Sequence, residues 1–144
     1  MARVVIPEQD LIWAAGFFDG EGCVGVQTNR AAYGVYYYPN VQIGQKLGRV
    51  LQWFKGYWGG SINVVTKYTA TTSKKAPIVE TPHTSCVWSI ATAECRTFLN
   101  DIQPYVRCKK AQVDYVLSRP KLSLTEEEKK TLQRMKGIDS WPEL

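Results

Sequence analysis

The sequence predicts an α+β fold of order αββαββα, with one antiparallel sheet and helices on one of its faces. Three observations lead there. Segments with apolar residues every three or four positions alternate with pairs of segments in which apolar and polar residues alternate singly. Each strand pair precedes helical sequence, and two such hairpins pack most simply as one sheet. The chain has 144 residues, enough for one domain with its own core, so residues 1–144 are expected to form a single domain.

The first helix is expected from Pro7 to Asp19. Pro7 suits a helix start, and Leu11, Ala14, Ala15 and Phe18 share a face. Gly20, Glu21 and Gly22 are expected to break it. A strand follows over 23–29, with Val24 and Val26 opposite Cys23, Gly25, Gln27 and Asn29. A second runs from Gly34 to Gln45, with Val35, Tyr37, Val41 and Ile43 on one face and Tyr36, Tyr38, Asn40 and Gln42 on the other. Pro39 cannot donate to a ladder, which implies an edge or a bulge there.

Leu47, Val50, Leu51 and Phe54 predict a helix over 47–55, stopped by Gly56. A third strand is expected over 61–68, with Ile62 and Val64 opposite Asn63, Val65 and Lys67. The Thr, Ser, Lys and Pro of 69–84 read as a long exposed loop. Cys86 to Ile90 reads as a fourth strand. Thr92 is expected to cap a helix that turns Cys95, Phe98, Leu99 and Ile102 inward. A helix over 109–118 ends before Pro120. A terminal helix over 125–137, an appendage that packs or contacts phosphate, starts with a Thr125–Glu128 capping box and ends at Gly137.

One sheet face is then uncovered. Gln27, Asn29, Tyr36, Tyr38, Asn40, Gln42, Asn63 and Lys67 lie on it, polar and aromatic together. Such a face suits base edges and phosphates. The net charge of +5 is unevenly spread. No Asp or Glu occurs between Glu21 and Glu80, while Arg30, Lys46, Arg49, Lys55, Lys67, Lys74 and Lys75 do. A surface facing a polyanion has this footprint, and so does a solvated basic face with no partner. Cys23, Cys86, Cys95 and Cys108 form no C-x-x-C pair and His83 is the only histidine, so free thiols rather than zinc ligands are expected. No apolar run approaches a membrane span, and Met1 to Asp10 carries no leader pattern. An intracellular protein with no membrane partner is the expectation.

The segment from Trp13 to Gly22 breaks local rules. Gly16 and Gly20 sit four apart in or near a helix, where glycine costs about 1 kcal/mol against alanine. Small residues at that spacing let two helix backbones approach. Asp19 and Glu21 crowd a helix C-terminus, where the dipole disfavours carboxylates. A Mg²⁺ ion would relieve that repulsion, using the carboxylate and free carbonyls as hard ligands. A plain helix-to-strand turn with Glu21 in solvent fits the same fragment.

Ala14 to Gly22 resembles the LAGLIDADG motif of homing endonucleases, with Glu in place of the final Asp. Val41-Gln42-Ile43-Gly44-Gln45-Lys46 looks like that family's second strand and following turn. Leu99 to Gln112 looks like its loop and helix with a catalytic-site lysine. The resemblance spans most of the chain, to about Leu117, and contains one motif. It implies a single-motif, homodimeric endonuclease with a saddle-shaped sheet on double-stranded DNA. By the same resemblance Glu21 matches the acid that binds the divalent cation, with the Gly20 carbonyl a further ligand. Gln45 and Lys109 match the pair that positions water and stabilises developing charge, and Arg107 is a weaker candidate. Trp13, Gly16 and Gly20 face the partner helix. Gln27, Asn29, Arg30, Tyr36, Tyr38, Asn40, Gln42, Asn63 and Lys67 match DNA-contacting positions. The activity implied is a Mg²⁺-dependent staggered cut with 3′ overhangs in a pseudo-palindrome of roughly 20 base pairs. The alternatives are an intron maturase or a non-catalytic DNA-binding regulator on the same fold, or an interaction domain unrelated to nucleic acid.

Overall fold

The computed structural model describes residues 3–73 and 76–136, with side chains for 3–66 and 83–136. The elements are α1 (Glu8–Glu21), β1 (Gly22–Ala31), β2 (Gly34–Gln45), α2 (Arg49–Trp58), β3 (Ser61–Ser73), β4 (Ala76–Ala91), α3 (Thr92–Ile102), a 3-10 turn (Gln103–Tyr105), α4 (Lys110–Ser118) and α5 (Glu126–Arg134). The four strands form one antiparallel sheet in the order β1-β2-β4-β3. The α+β architecture and the order of elements agree with the sequence.

Strand alternation sorts the sheet into two faces. Val24, Val41, Ile43, Trp88 and Ile90 point into the core, where Ala14, Ala15 and Phe18 of α1, Leu51, Phe54 and Trp58 of α2, and Cys95, Phe98, Leu99 and Ile102 of α3 meet them. Aromatic rings fill the centre. Phe54 lies 5.2 Å from Trp88 at a tilt of 38°, while Trp88, at 5.3 Å, and Trp58, at 4.8 Å, meet Phe98 at the edge-on angles that ring quadrupoles favour. The buried indoles keep partners: Trp88 Nε1 donates to the Gly59 carbonyl and Trp58 Nε1 to Asp101. Burial pushes the Cys95 thiol up to about 12, so it stays protonated and inert.

Several boundaries differ from the sequence reading. α1 does not break at Gly20; it continues through Gly20 and Glu21 and ends at the extended Gly22. α2 likewise runs through Gly56, because Leu51, Phe54 and Trp58 bury one face whose packing outweighs a single glycine. It stops at Gly59, whose φ of 81° suits glycine. Leu47 precedes that helix and is exposed. Within the segment 69–84, expected as a loop, residues 69–73 extend β3 and 76–84 extend β4 as a paired ribbon, with a register shift at Thr71/Ser73. Its threonines and valine suit a strand, and Pro82 sits where β4 no longer pairs with β2. Val64 does share the face of Ile62, but the helices end short of it and it is 68% exposed. Thr92 does not cap α3: its φ is 55° and its hydroxyl donates to the Ala91 carbonyl.

Pro39 behaves as an edge residue. The β2–β4 ladder begins at Asn40, so residues 34–39 of β2 have a free side there. The C-terminal segment covers it. Leu124 N–H donates to the Tyr37 carbonyl at 2.7 Å, Lys129 Nζ lies 4.2 Å over the Tyr37 ring, and Leu132 is buried. Arg96 donates to the Leu117 and Arg119 carbonyls and so anchors the connection at the negative end of α4. The Thr125–Glu128 capping box is present in both directions. The Thr125 N–H, with further help from Arg119, holds the Glu128 carboxyl below its usual range. The terminal helix thus packs against the sheet through this hairpin; Gly137, expected to end it, lies outside the described residues. Among the described residues, no helix is long and apolar enough to cross a membrane.

Phe54 touches α1, α2, α3 and β4 through rings alone. Phe54→Ala is expected to lower stability by about 3–5 kcal/mol, read by chemical denaturation.

Candidate active site

α1 passes into β1 without a loop. The Gly22 N–H donates to the Phe18 carbonyl, and a Cβ on Gly22 would lie 2.8 Å from that oxygen and 2.4 Å from the Phe18 ring. Only glycine fits this close approach. Glu21 is therefore the last helical residue, and the next residue already pairs with Ile43 of β2. Two positions beyond Ile43, on the same side of the sheet, β2 ends at Gln45. Gln45 Nε2 donates to Glu21 Oε2 at 3.1 Å.

The loop entering α4 closes the other side. Its Arg107 and Lys109 N–H groups donate to the Asp19 carboxylate at 2.7 and 3.0 Å, and Lys109 Nζ donates to the Asp19 carbonyl at 2.5 Å. An ammonium there complements the negative end of the helix dipole. Glu21, Gln45 and Lys109, far apart in sequence, thus gather around the C-terminus of α1. The crowding of Asp19 and Glu21 is relieved on the Asp19 side, where both carboxylate oxygens accept loop N–H groups. Arg107 enters through its backbone, and its side chain is exposed.

Hard oxygen donors are present. Glu21 is exposed, and the Gly20 carbonyl belongs to the last turn, whose carbonyls lack helical partners. Among the described residues, no three His, Cys, Asp or Glu side chains cluster as a metal group. One carboxylate with carbonyl and water fits Mg²⁺, which keeps several waters and shares phosphate oxygens, rather than a cation caged by one chain.

The outer face of α1 is bare. A Cβ on Gly16 or Gly20 would meet nothing within 4 Å. Ile12, 49% exposed, completes a stripe with these glycines at four-residue spacing, and the sequence reading omitted it. Trp13 flanks that stripe. It is half exposed, stacks on Phe17 at 5.1 Å and meets Trp53 edge-on at 5.2 Å within its own chain. Beside the stripe lies a concavity of about 600 Å³ bounded by Pro104, Tyr105 and Cys108.

The uncovered sheet face is as expected. Cys23, Gly25, Gln27 and Asn29 register with Gln42, Asn40, Tyr38 and Tyr36. Gln27 Nε2 donates to Asn29 Oδ1 at 2.9 Å along that face. A Cβ on Gly25 would lie 2.7 Å from Asn40 Oδ1, so the glycine makes room for the asparagine side chain. Asn63 joins the face across from Val87, and Lys67 shares it by register, its side chain being outside those described. Arg30 departs: it pairs with Val35 on the opposite face, near the hairpin tip. Ser85, Ser89 and Ser61 add hydroxyls that the sequence reading missed. Their alternation with Cys86, Trp88 and Ile90 was the available signal.

No protein-family model and no curated protein matches the chain. Solved structures do. The homing endonuclease I-CvuI, solved in complex with its target in the presence of Ca, aligns with a TM-score of 0.61 at 16% identity, over 95% of this chain and 88% of its own. The archaeal intron-encoded homing endonuclease I-Vdi141I, complexed with DNA, aligns at 0.57 and 18%, over 94% and 90%. The LAGLIDADG homing endonuclease I-GzeII, in complex with a DNA target, aligns at 0.50 and 20%, over 86% of this chain and 41% of its own. The fold is that of LAGLIDADG homing endonucleases.

Because no described residue fills the space above Gly16, Gly16→Ala should leave the lone chain as stable or stabilise it by roughly 0.5–1 kcal/mol. Thermal unfolding at a concentration too low for association checks this.

Proposed function

From the homing-endonuclease fold, we propose that this chain is a site-specific DNA endonuclease. Two copies act together, and each cuts one strand of a long pseudo-palindromic duplex to leave 3′ overhangs. The gathering of Glu21, Gln45 and Lys109 at the end of a glycine-faced helix carries the proposal. The chain acts as one such domain over 1–144, inside the cell.

Two α1 helices pack through Ile12, Gly16 and Gly20, with Trp13 at the rim. The absence of side chains at the two glycines allows the backbones to approach. That brings the two Glu21 carboxylates together at the two-fold axis. Glu21 and the Gly20 carbonyl hold a divalent cation, Mg²⁺ by donor chemistry. When bound, the cation supplies charge neutralisation at the scissile phosphate and an acidified water. Gln45 holds one oxygen of Glu21 and so fixes the carboxylate. Lys109 places an ammonium beside this end of α1, where it stabilises charge developing on phosphate oxygens.

The uncovered sheet face reads DNA. Gln27, Asn29, Asn40, Gln42 and Asn63 offer donors and acceptors to base edges in the major groove. Tyr36 and Tyr38 add contacts and Lys67 adds charge for phosphates, while Arg30, on the opposite face, can meet the backbone only from the hairpin tip. The stretch 22–79 contains no acid to repel the polyanion. Half-sites of about one helical turn give a target of roughly 20 base pairs.

Two outcomes follow. Glu21→Gln removes a cation ligand and no part of the sheet, so cleavage should vanish while gel-shift affinity for DNA persists; normal cleavage by this variant would refute the assignment. Gly16→Leu fills the helix contact and should convert a dimer to a monomer in sedimentation, with loss of double-strand cutting. A Gly16→Leu dimer that still cuts both strands would move the interface elsewhere.

A further inference from the structure

Asp19 lies outside the proposed chemistry, yet it makes the most connections of any acid in the site. Its Oδ2 accepts the Arg107 N–H at 2.7 Å, its Oδ1 accepts the Lys109 N–H at 3.0 Å, and its carbonyl accepts Lys109 Nζ at 2.5 Å. One residue thus grips the loop by its backbone and the lysine by its side chain. The partners are separated by 88 and 90 positions in sequence, so no local turn could enforce their meeting. A carboxylate in the last turn of a helix opposes the dipole. Charge-assisted bonds from two N–H groups offset that, and the Lys109 ammonium supplies a compensating charge. The Phe18 ring, 5.8 Å from Lys109 Nζ, borders the lysine on the apolar side.

Resting on the nuclease reading, we propose that Asp19 is a positioning residue that sets Lys109 at the C-terminus of α1 and touches neither cation nor DNA. The lysine stem is long and flexible, and its ammonium is a point charge without a preferred direction. Its place is therefore fixed by what holds its backbone and its tip, and Asp19 does both. Asp19→Asn keeps the size but has one acceptor oxygen. One of the two loop N–H groups then faces an amide N–H₂ in place of an oxygen. The loop loosens and the ammonium moves off its position.

The test combines amide exchange with a double-mutant cycle on the full chain, using DNA carrying its cleavage site. In Asp19→Asn, protection of the Arg107 or Lys109 amide should fall while DNA affinity is unchanged. The single-turnover cutting rate should drop about a hundredfold, the effect of misplacing a group by about 1 Å. In a Lys109→Met background the same change should cost nothing further, because Asp19 acts through Lys109. An undiminished rate in Asp19→Asn, or an equal loss in both backgrounds, overturns the proposal while leaving the nuclease reading intact. Failure of the unaltered chain to cut would instead remove that reading and this one with it. If Asp19→Asn does not fold, Asp19→Glu keeps charge and acceptors but shifts them by one methylene. It should fold and cut more slowly than the unaltered chain; cutting at the full rate overturns the proposal.

Discussion

The direct passage of a helix into a strand at Gly22 is the constraint on which the site depends. A side chain there would collide with the carbonyl and ring of Phe18. With glycine in place, α1 and β1 share one rigid corner, and the final helical residue stands over the end of β2. Glu21 gains its orientation from this corner and from Gln45, not from a flexible turn. The same corner leaves the last carbonyls of α1 without helical partners, and the Lys109 ammonium takes that of Asp19. Stability and chemistry meet here. Phe18, which closes the corner, is also a fully buried core residue packed 5.6 Å from Phe98.

The sheet separates two tasks. One face is glued to α1, α2 and α3 by a dense aromatic cluster and carries little that water needs to reach. The other carries amides, hydroxyls and tyrosines at strand spacing. A stiff sheet keeps the side chains of that face in fixed positions. The C-terminal segment contributes to that stiffness. It pairs with β2 where β4 falls away and buries Leu132 behind the first hairpin. Without it, the stretch of β2 around Pro39 would have an unpaired edge, a liability in any sheet.

Much of this was legible in the sequence, for identifiable reasons. Period-two alternation over 34–45 fixed both strand faces, since Val41 and Ile43 could only face inward. The Thr125–Glu128 pair announced a helix start because both halves of the box are local. Nothing local in the sequence marks Gln45 or Lys109; only the resemblance singles them out. What could not be read depended on packing. Gly20 and Gly56 looked like breakers because glycine disfavours helices, but buried neighbours at Phe18 and Trp58 carried both helices past them. The pairing of 69–73 with 76–84 was hidden because each strand's hydrogen-bond partner lies in the other, which no apolar alternation announces. The grip of Asp19 on the α4 loop spans most of the chain, so no window of sequence contains it.

The most direct measurement of the central claim is a cleavage assay on host-locus and randomised-library DNA. It compares Mg²⁺ with EDTA and maps the cut ends by sequencing. Discrete Mg²⁺-dependent breaks with short 3′ overhangs, centred in a pseudo-palindrome, are the expected result. Salt-sensitive DNA binding with no breaks in any divalent cation would contradict it and leave a DNA-binding protein on an endonuclease fold.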